Sequence, residues 1–172
     1  MLDRLPVLID PVSFSERGKM LSGTIEISEL TRLSDMLLDN SGVVEIDISF
    51  DKEGRLSTIQ GEIKANLIVE CQSCLKQLSL SISRNFKLGL VSSLEQADRL
   101  ASDCEPFILE DVKISLNELV EDELLLALPD FPRHDYPCID REGVKPAVHD
   151  IDEQIRSNNP FAVLAKLKNT GD

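Results

Sequence analysis

The 172-residue chain is long enough for one hydrophobic core, and its 42% hydrophobic and 28% charged residues are ordinary for a globular protein. A formal net charge of −13 opposes broad binding to nucleic acid or an anionic membrane, and one Tyr, six Phe and no Trp leave little material for stacking bases. MLDRLPVLIDP opens with acids and lacks a signal-like apolar core, and no stretch approaches the roughly 20 apolar residues that span a bilayer, so a cytoplasmic protein is expected.

Along the chain, PVLID (6–10) and LSGTIEI (21–27) read as strands. Ser28 is placed to cap a helix over 29–39, with Leu30, Leu33 and Leu37 on one stripe. Val44, Ile46, Ile48 and Phe50 then alternate with polar residues, as in a half-buried strand, and DKEGR with Gly54 turns the chain. A second alternation runs from Ile59 to Cys71 and is broken only at Ile68. A third runs from Leu78 to Leu90, with Arg84 interrupting its inward face. These three segments predict an antiparallel meander.

Residues 93–101 suggest a short helix. The strongest helix signal is SLNELVEDELLLALP, where Ser115 and Glu118 form a capping box. Its apolar stripe holds Leu116, Leu119, Val120, Leu124, Ala127 and Leu128, and Pro129 stops it. Residues 138–158 show no period and read as an acidic linker, and Asn159-Pro160 opens a short helix within 159–172. The expectation is an α+β core over 1–137, an antiparallel meander or partly open barrel packed with a few helices, with a tethered C-terminal segment.

Four residue types suited to zinc stand in two halves. Cys71 and Cys74 form C-x-x-C between the second and third strands; His134 and Cys138 form H-x-x-x-C after the long helix. Together they make a Cys₃His donor set for structural zinc. Reduced structural cysteines are the plainer reading, because Cys71 falls on the buried phase of its strand. A redox pair fits poorly, since redox C-x-x-C motifs open a helix after a parallel strand. A zinc- or thiol-dependent enzyme centred on this motif is thus one alternative, although the chain carries no nucleophile-elbow, P-loop or H-E-x-x-H motif. Cys104 lies among acids, which disfavour a reactive thiolate.

Charge is segregated. Residues 71–94 contain no acid but include Lys76, Arg84 and Lys87, whereas 95–123 contain ten acids against Arg99 and Lys113. Two readings follow: a sheet face countered by acids of the helix, or a local RNA contact through Lys76, Arg84 and Lys87. Glu118, Glu121, Asp122 and Leu125 are expected on one face of the helix, away from its stripe. With Phe161 and Leu164 of the last segment they form a candidate docking surface, which a generic protein–protein adaptor would also use.

C-x-x-C-L at 71–75, ELVEDELLLALPDFPRHDYPC at 118–138 and NPFAVLAKLK at 159–168, with LPVLIDPV at 5–12, resemble the YceD-like family of bacterial and plastid large-ribosomal-RNA accumulation proteins. The resemblance covers nearly the whole chain. It implies a non-enzymatic factor supporting synthesis, processing or stability of 23S rRNA and assembly of the large ribosomal subunit. Its implied partners are a pre-ribosomal particle or a basic ribosomal protein. It supplies no catalytic residues. Family members often carry a basic residue between the two cysteines, where this chain has Ser73.

Overall fold

The computed structural model describes residues 5–139. The chain divides into two units, Met1–Cys138 and Ile139–Asp172. The expected linker beyond residue 139 and the helix opened by Asn159-Pro160 lie outside the described residues.

A five-stranded sheet carries the first unit. Its strands are β2 (Met20–Glu26), β3 (Val43–Glu53), β4 (Leu56–Glu70), β5 (Gln77–Val91) and β6 (Glu105–Ile108), in that spatial order. β2 to β5 are antiparallel, and β6 joins β5 in parallel. A separate two-stranded ladder pairs β1 (Leu8–Ile9) with β7 (Ile114–Ser115). The helices are α1 (Pro11–Glu16), α2 (Thr31–Ser34), α3 (Leu94–Ala97) and α4 (Leu116–Ala127). The fold is therefore mixed α and β around a mostly open sheet.

Period-two alternation builds the sheet because it gives one apolar face. Val44 pairs with Ala65, Ile46 with Ile63 and Phe50 with Ile59, and all six are buried. Gly54, at φ +64°, makes the tight β3–β4 connection. The two irregularities in the pattern have structural partners. Ile68 stands in the outward row, and its carbonyl accepts from the Leu38 N–H at 2.8 Å, beyond the point where β3 begins. Arg84 stands in the inward row and meets Glu123 of α4.

Over this face lies α4. Ser115 caps it, its hydroxyl accepting from the Glu118 N–H at 3.3 Å, and Leu116, Leu119, Val120 and Leu124 enter the core. The expected helix over 29–39 is shorter. A 3₁₀ turn (Ile27–Glu29) and the single turn α2 replace it, and Ser28 makes no capping bond. Ile27, Leu30 and Leu33 are all buried, so tertiary packing rather than helical periodicity decides their placement.

Three elements carry weaker sequence signals. In α1, Asp10 accepts from the Ser13 N–H at 2.9 Å and Pro11 occupies the first turn. Its Phe14 packs edge-to-face on Phe50 with ring centroids 5.3 Å apart. β6 returns alongside β5 after the α3 crossover. Gly89 allows this close approach, since a Cβ there would lie 2.9 Å from the Cys104 sulfur.

Candidate metal centre

The second and third long strands do not join directly. At the end of β4, Cys71 donates its N–H to the Lys76 carbonyl at 2.9 Å, and Leu75 donates back to the Cys71 carbonyl at 2.8 Å. This tight turn places Cys71 and Cys74 side by side. Leu75 takes φ +58°, the left-handed region usually left to glycine, so the turn is held against a local backbone preference.

The other two donors arrive with α4. The helix advances about 18 Å from the β1–β7 end, and Leu125 and Leu128 near its end line one cavity with Val69, Glu70 and Gln72. Pro129 ends it, and the chain then runs back against the knuckle, where the Gln72 N–H donates to the Pro132 carbonyl at 2.8 Å. That backbone contact brings in His134 and Cys138, more than 60 residues after Cys71 in sequence.

One donor atom from each of Cys71, Cys74, His134 and Cys138 lies within 4.8 Å of all the others. The Cys71 and Cys138 sulfurs are 3.8 Å apart, and Cys74 Sγ is 3.5 Å from His134 Nδ1. A tetrahedral zinc with sulfur at about 2.3 Å and nitrogen at about 2.0 Å has S–S edges of about 3.8 Å and S–N edges of about 3.5 Å. Both edges therefore match a tetrahedral site. His134 Nε2 donates to the Gln77 carbonyl at 3.2 Å, which leaves Nδ1 as the free lone pair. The donor set, its dimensions and its imidazole tautomer all fit a metal ion.

The thiols differ in acidity. Burial works to raise the Cys71 thiol, but the backbone N–H groups of Cys74, Ser73 and His134, with the Cys74 thiol, bring it down to about 6. Cys138 is pushed up to about 11 by burial and by the neighbouring Cys74 and Cys71 sulfurs. A Cys71 thiolate beside a Cys138 thiol that holds its proton is an arrangement a cation would resolve by displacing that proton. Cys71 is buried, which suits a ligand better than a nucleophile. Cys104 is raised by burial and lies apart from the cluster.

The cations of the acid-free stretch are differently placed. Arg84 bridges Glu123 and Glu105, each at 3.1 Å. Lys87 reaches Glu53 at 2.9 Å and Asp103 at 3.2 Å, and these partners raise it to about 12. Lys76 is exposed at the turn and makes no ion pair among the described residues. Two of the three candidate RNA contacts are thus held in ion pairs within the chain, and Glu123 of α4 is the one helix acid among their four partners.

The candidate docking face of α4 divides similarly. Glu118 is exposed, Asp122 pairs with Arg32 at 2.8 Å, and Leu125 is half-buried against the core. Glu121 departs from the expectation of an outward side chain. It is 4% exposed, takes the Leu33 N–H at 3.0 Å and pairs with Arg32 at 2.8 Å. It thereby satisfies an N–H of the short α2 turn that has no helical partner. The hint in sequence was its position on the helix, between Leu128 and Leu125 at the border of the apolar arc. Phe161 and Leu164 lie outside the described residues.

The family model described as "Large ribosomal RNA subunit accumulation protein YceD" matches residues 59–168. A curated Haemophilus influenzae protein of the same name is 29% identical over 168 residues, covering 96% of this chain and 97% of its own. No solved structure matches the chain. Among the described residues no helix is long and apolar enough to cross a membrane.

Proposed function

The chain belongs to the YceD family of large ribosomal RNA subunit accumulation proteins, and from that premise we propose that it is a ribosome-biogenesis factor. It supports synthesis, processing or stability of 23S rRNA during large-subunit assembly in the cytoplasm. The match to a full-length relative named for rRNA accumulation carries this reading. The protein acts by binding, without catalysis. One feature supports that: the Cys₃His donors make a closed set of four, whereas catalytic zinc sites keep a position open.

Cys71, Cys74, His134 and Cys138 hold a structural zinc in this reading. The ion would neutralise the thiolates and tie the chain after α4 to the β4–β5 turn. The partner is a pre-ribosomal large subunit or a basic ribosomal protein, which suits a chain of net charge −13.

Deleting the gene tests the function. The expected result is a fall in 23S rRNA relative to 16S rRNA, with the tagged protein sedimenting with immature large subunits. Unchanged 23S rRNA and no sedimentation with ribosomal particles would reject it.

A further inference from the structure

Where β6 ends, Leu8, Phe107, Ile108 and Ile114 line a groove of about 350 Å³, with Glu118 and Leu119 of α4 on its other wall. Two of its apolar residues are exposed, while Phe107 and Ile114 are half-buried and Leu119 is buried. Leu8 is 60% exposed and Ile108 42%, and Val112, next to the lining residues Asp111 and Lys113, is 70% exposed. Isolated exposed aliphatics need no explanation, but several around one groove mark a contact surface.

The rim carries the opposite character. Glu110, Asp111 and Glu118 are exposed and make no ion pair among the described residues, against Lys113 as the one base of the lining. Asp122 completes the rim and is already paired with Arg32. The groove therefore joins an aliphatic floor to a net negative border.

We propose that this groove docks a lysine- or arginine-rich protein segment carrying aliphatic side chains. The aliphatic groups fill the floor and the cations meet Glu110, Asp111 and Glu118. Charge selects this occupant over the others. RNA phosphates and anionic lipids would meet three unpaired carboxylates, and a second copy would bring the same acids against itself. The proposal rests on the binding reading above in taking the partner to be a basic protein, and it gives that reading a surface.

Two fluorescein-labelled 12-residue peptides test it on the purified full-length protein: one alternates Lys with Val, and the other alternates Lys with Ser at the same charge. Fluorescence anisotropy should show the Lys-Val peptide binding roughly tenfold tighter, the gain from burying one or two aliphatic side chains. The exposed-site double variant I108S/V112S should remove that gain and leave Lys-Ser binding unchanged. The triple variant E110Q/D111N/E118Q should weaken both peptides. Circular dichroism of each variant should match the parent. Equal affinity for the two peptides, no binding of either, or affinities unchanged in the variants would overturn the proposal, as would a 12-nucleotide RNA displacing the Lys-Val peptide. A failed peptide assay with the 23S rRNA defect intact rejects only this groove; bound peptide without that defect rejects only the ribosomal role.

Discussion

Arg84 stands among apolar residues on the inner row of β5, and the Glu123 carboxylate holds it at 3.1 Å while only 3% of Glu123 is exposed. Burial pushes Glu123 above its ordinary value of 4.5, and the hydrogen bond and charge of Arg84 oppose that rise. Replacing Arg84 with Met leaves burial unopposed and raises Glu123 further. A carboxyl raised by folding contributes stability in full below its unfolded value, and the contribution is lost as pH climbs through the folded value. The variant should therefore be about 2 kcal/mol less stable than the parent at pH 7, where an unpaired buried carboxylate must be tolerated, and the gap should shrink toward pH 4.5. Urea unfolding of both chains at pH 4.5, 5.5 and 7 measures it; a gap independent of pH would show that Glu123 is not the group responsible. In the sequence, Arg84 showed as a break in the alternation and as a cation of the acid-free stretch, but its pairing with Glu123 did not, because that partner lies 39 residues away on α4.

At the scale of elements, what could be read depended on how local the determinants are. β3, β4 and β5 show themselves because each strand repeats its own pattern, and α4 because Ser115 caps an uninterrupted stripe. α2 misleads because Leu30, Leu33 and Leu37 are spaced like a helix, yet Glu121 from a distant element supplies the Leu33 N–H with its acceptor. β6 is hidden because a parallel edge strand needs the α3 crossover to find its place. The knuckle combines both cases: its cysteines are plain in sequence, but the left-handed Leu75 is not. Leu75 is 68% exposed, so its side chain contributes little packing and its backbone decides the effect of substitution. Leu75→Gly should stabilise the protein by about 0.5–1 kcal/mol, the strain relieved exceeding the added freedom of the unfolded chain. Leu75→Val should destabilise it by a similar amount, because branching at Cβ worsens the same conformation. Thermal unfolding of the two variants gives the signs, and a stabilising valine would remove the argument from strain.

Over the whole molecule, the candidate metal centre and the hydrophobic core are built from different parts of the chain. Phe50, Ile59, Ile63 and Leu67 from the sheet, with Leu116 and Leu124 of α4, are enclosed without help from the four ligands. Small zinc domains lose their whole fold with the ion, because the ion replaces a core. Here the ion would fasten only the segment from Pro129 to Cys138 onto the β4–β5 turn, where the Gln72 amide is bonded to the Pro132 carbonyl. The sequence offered the four ligand types but not their meeting, since the approach of the two halves depends on where the chain after α4 runs, with the Pro132 carbonyl against the Gln72 amide. Purified protein should carry about one zinc per chain by elemental analysis. Removing it with a chelator should speed hydrogen exchange at the Gln72 and Leu75 amides by more than tenfold, while the amides of Ile46, Ile48 and Ile63 in the central strands keep their protection. The same local loss should appear in Cys138→Ser without chelator. Protein isolated without zinc would remove the structural-metal reading, whereas loss of protection across β3 and β4 together would mean that the ion supports the sheet itself and that the core is less self-sufficient than its burial implies.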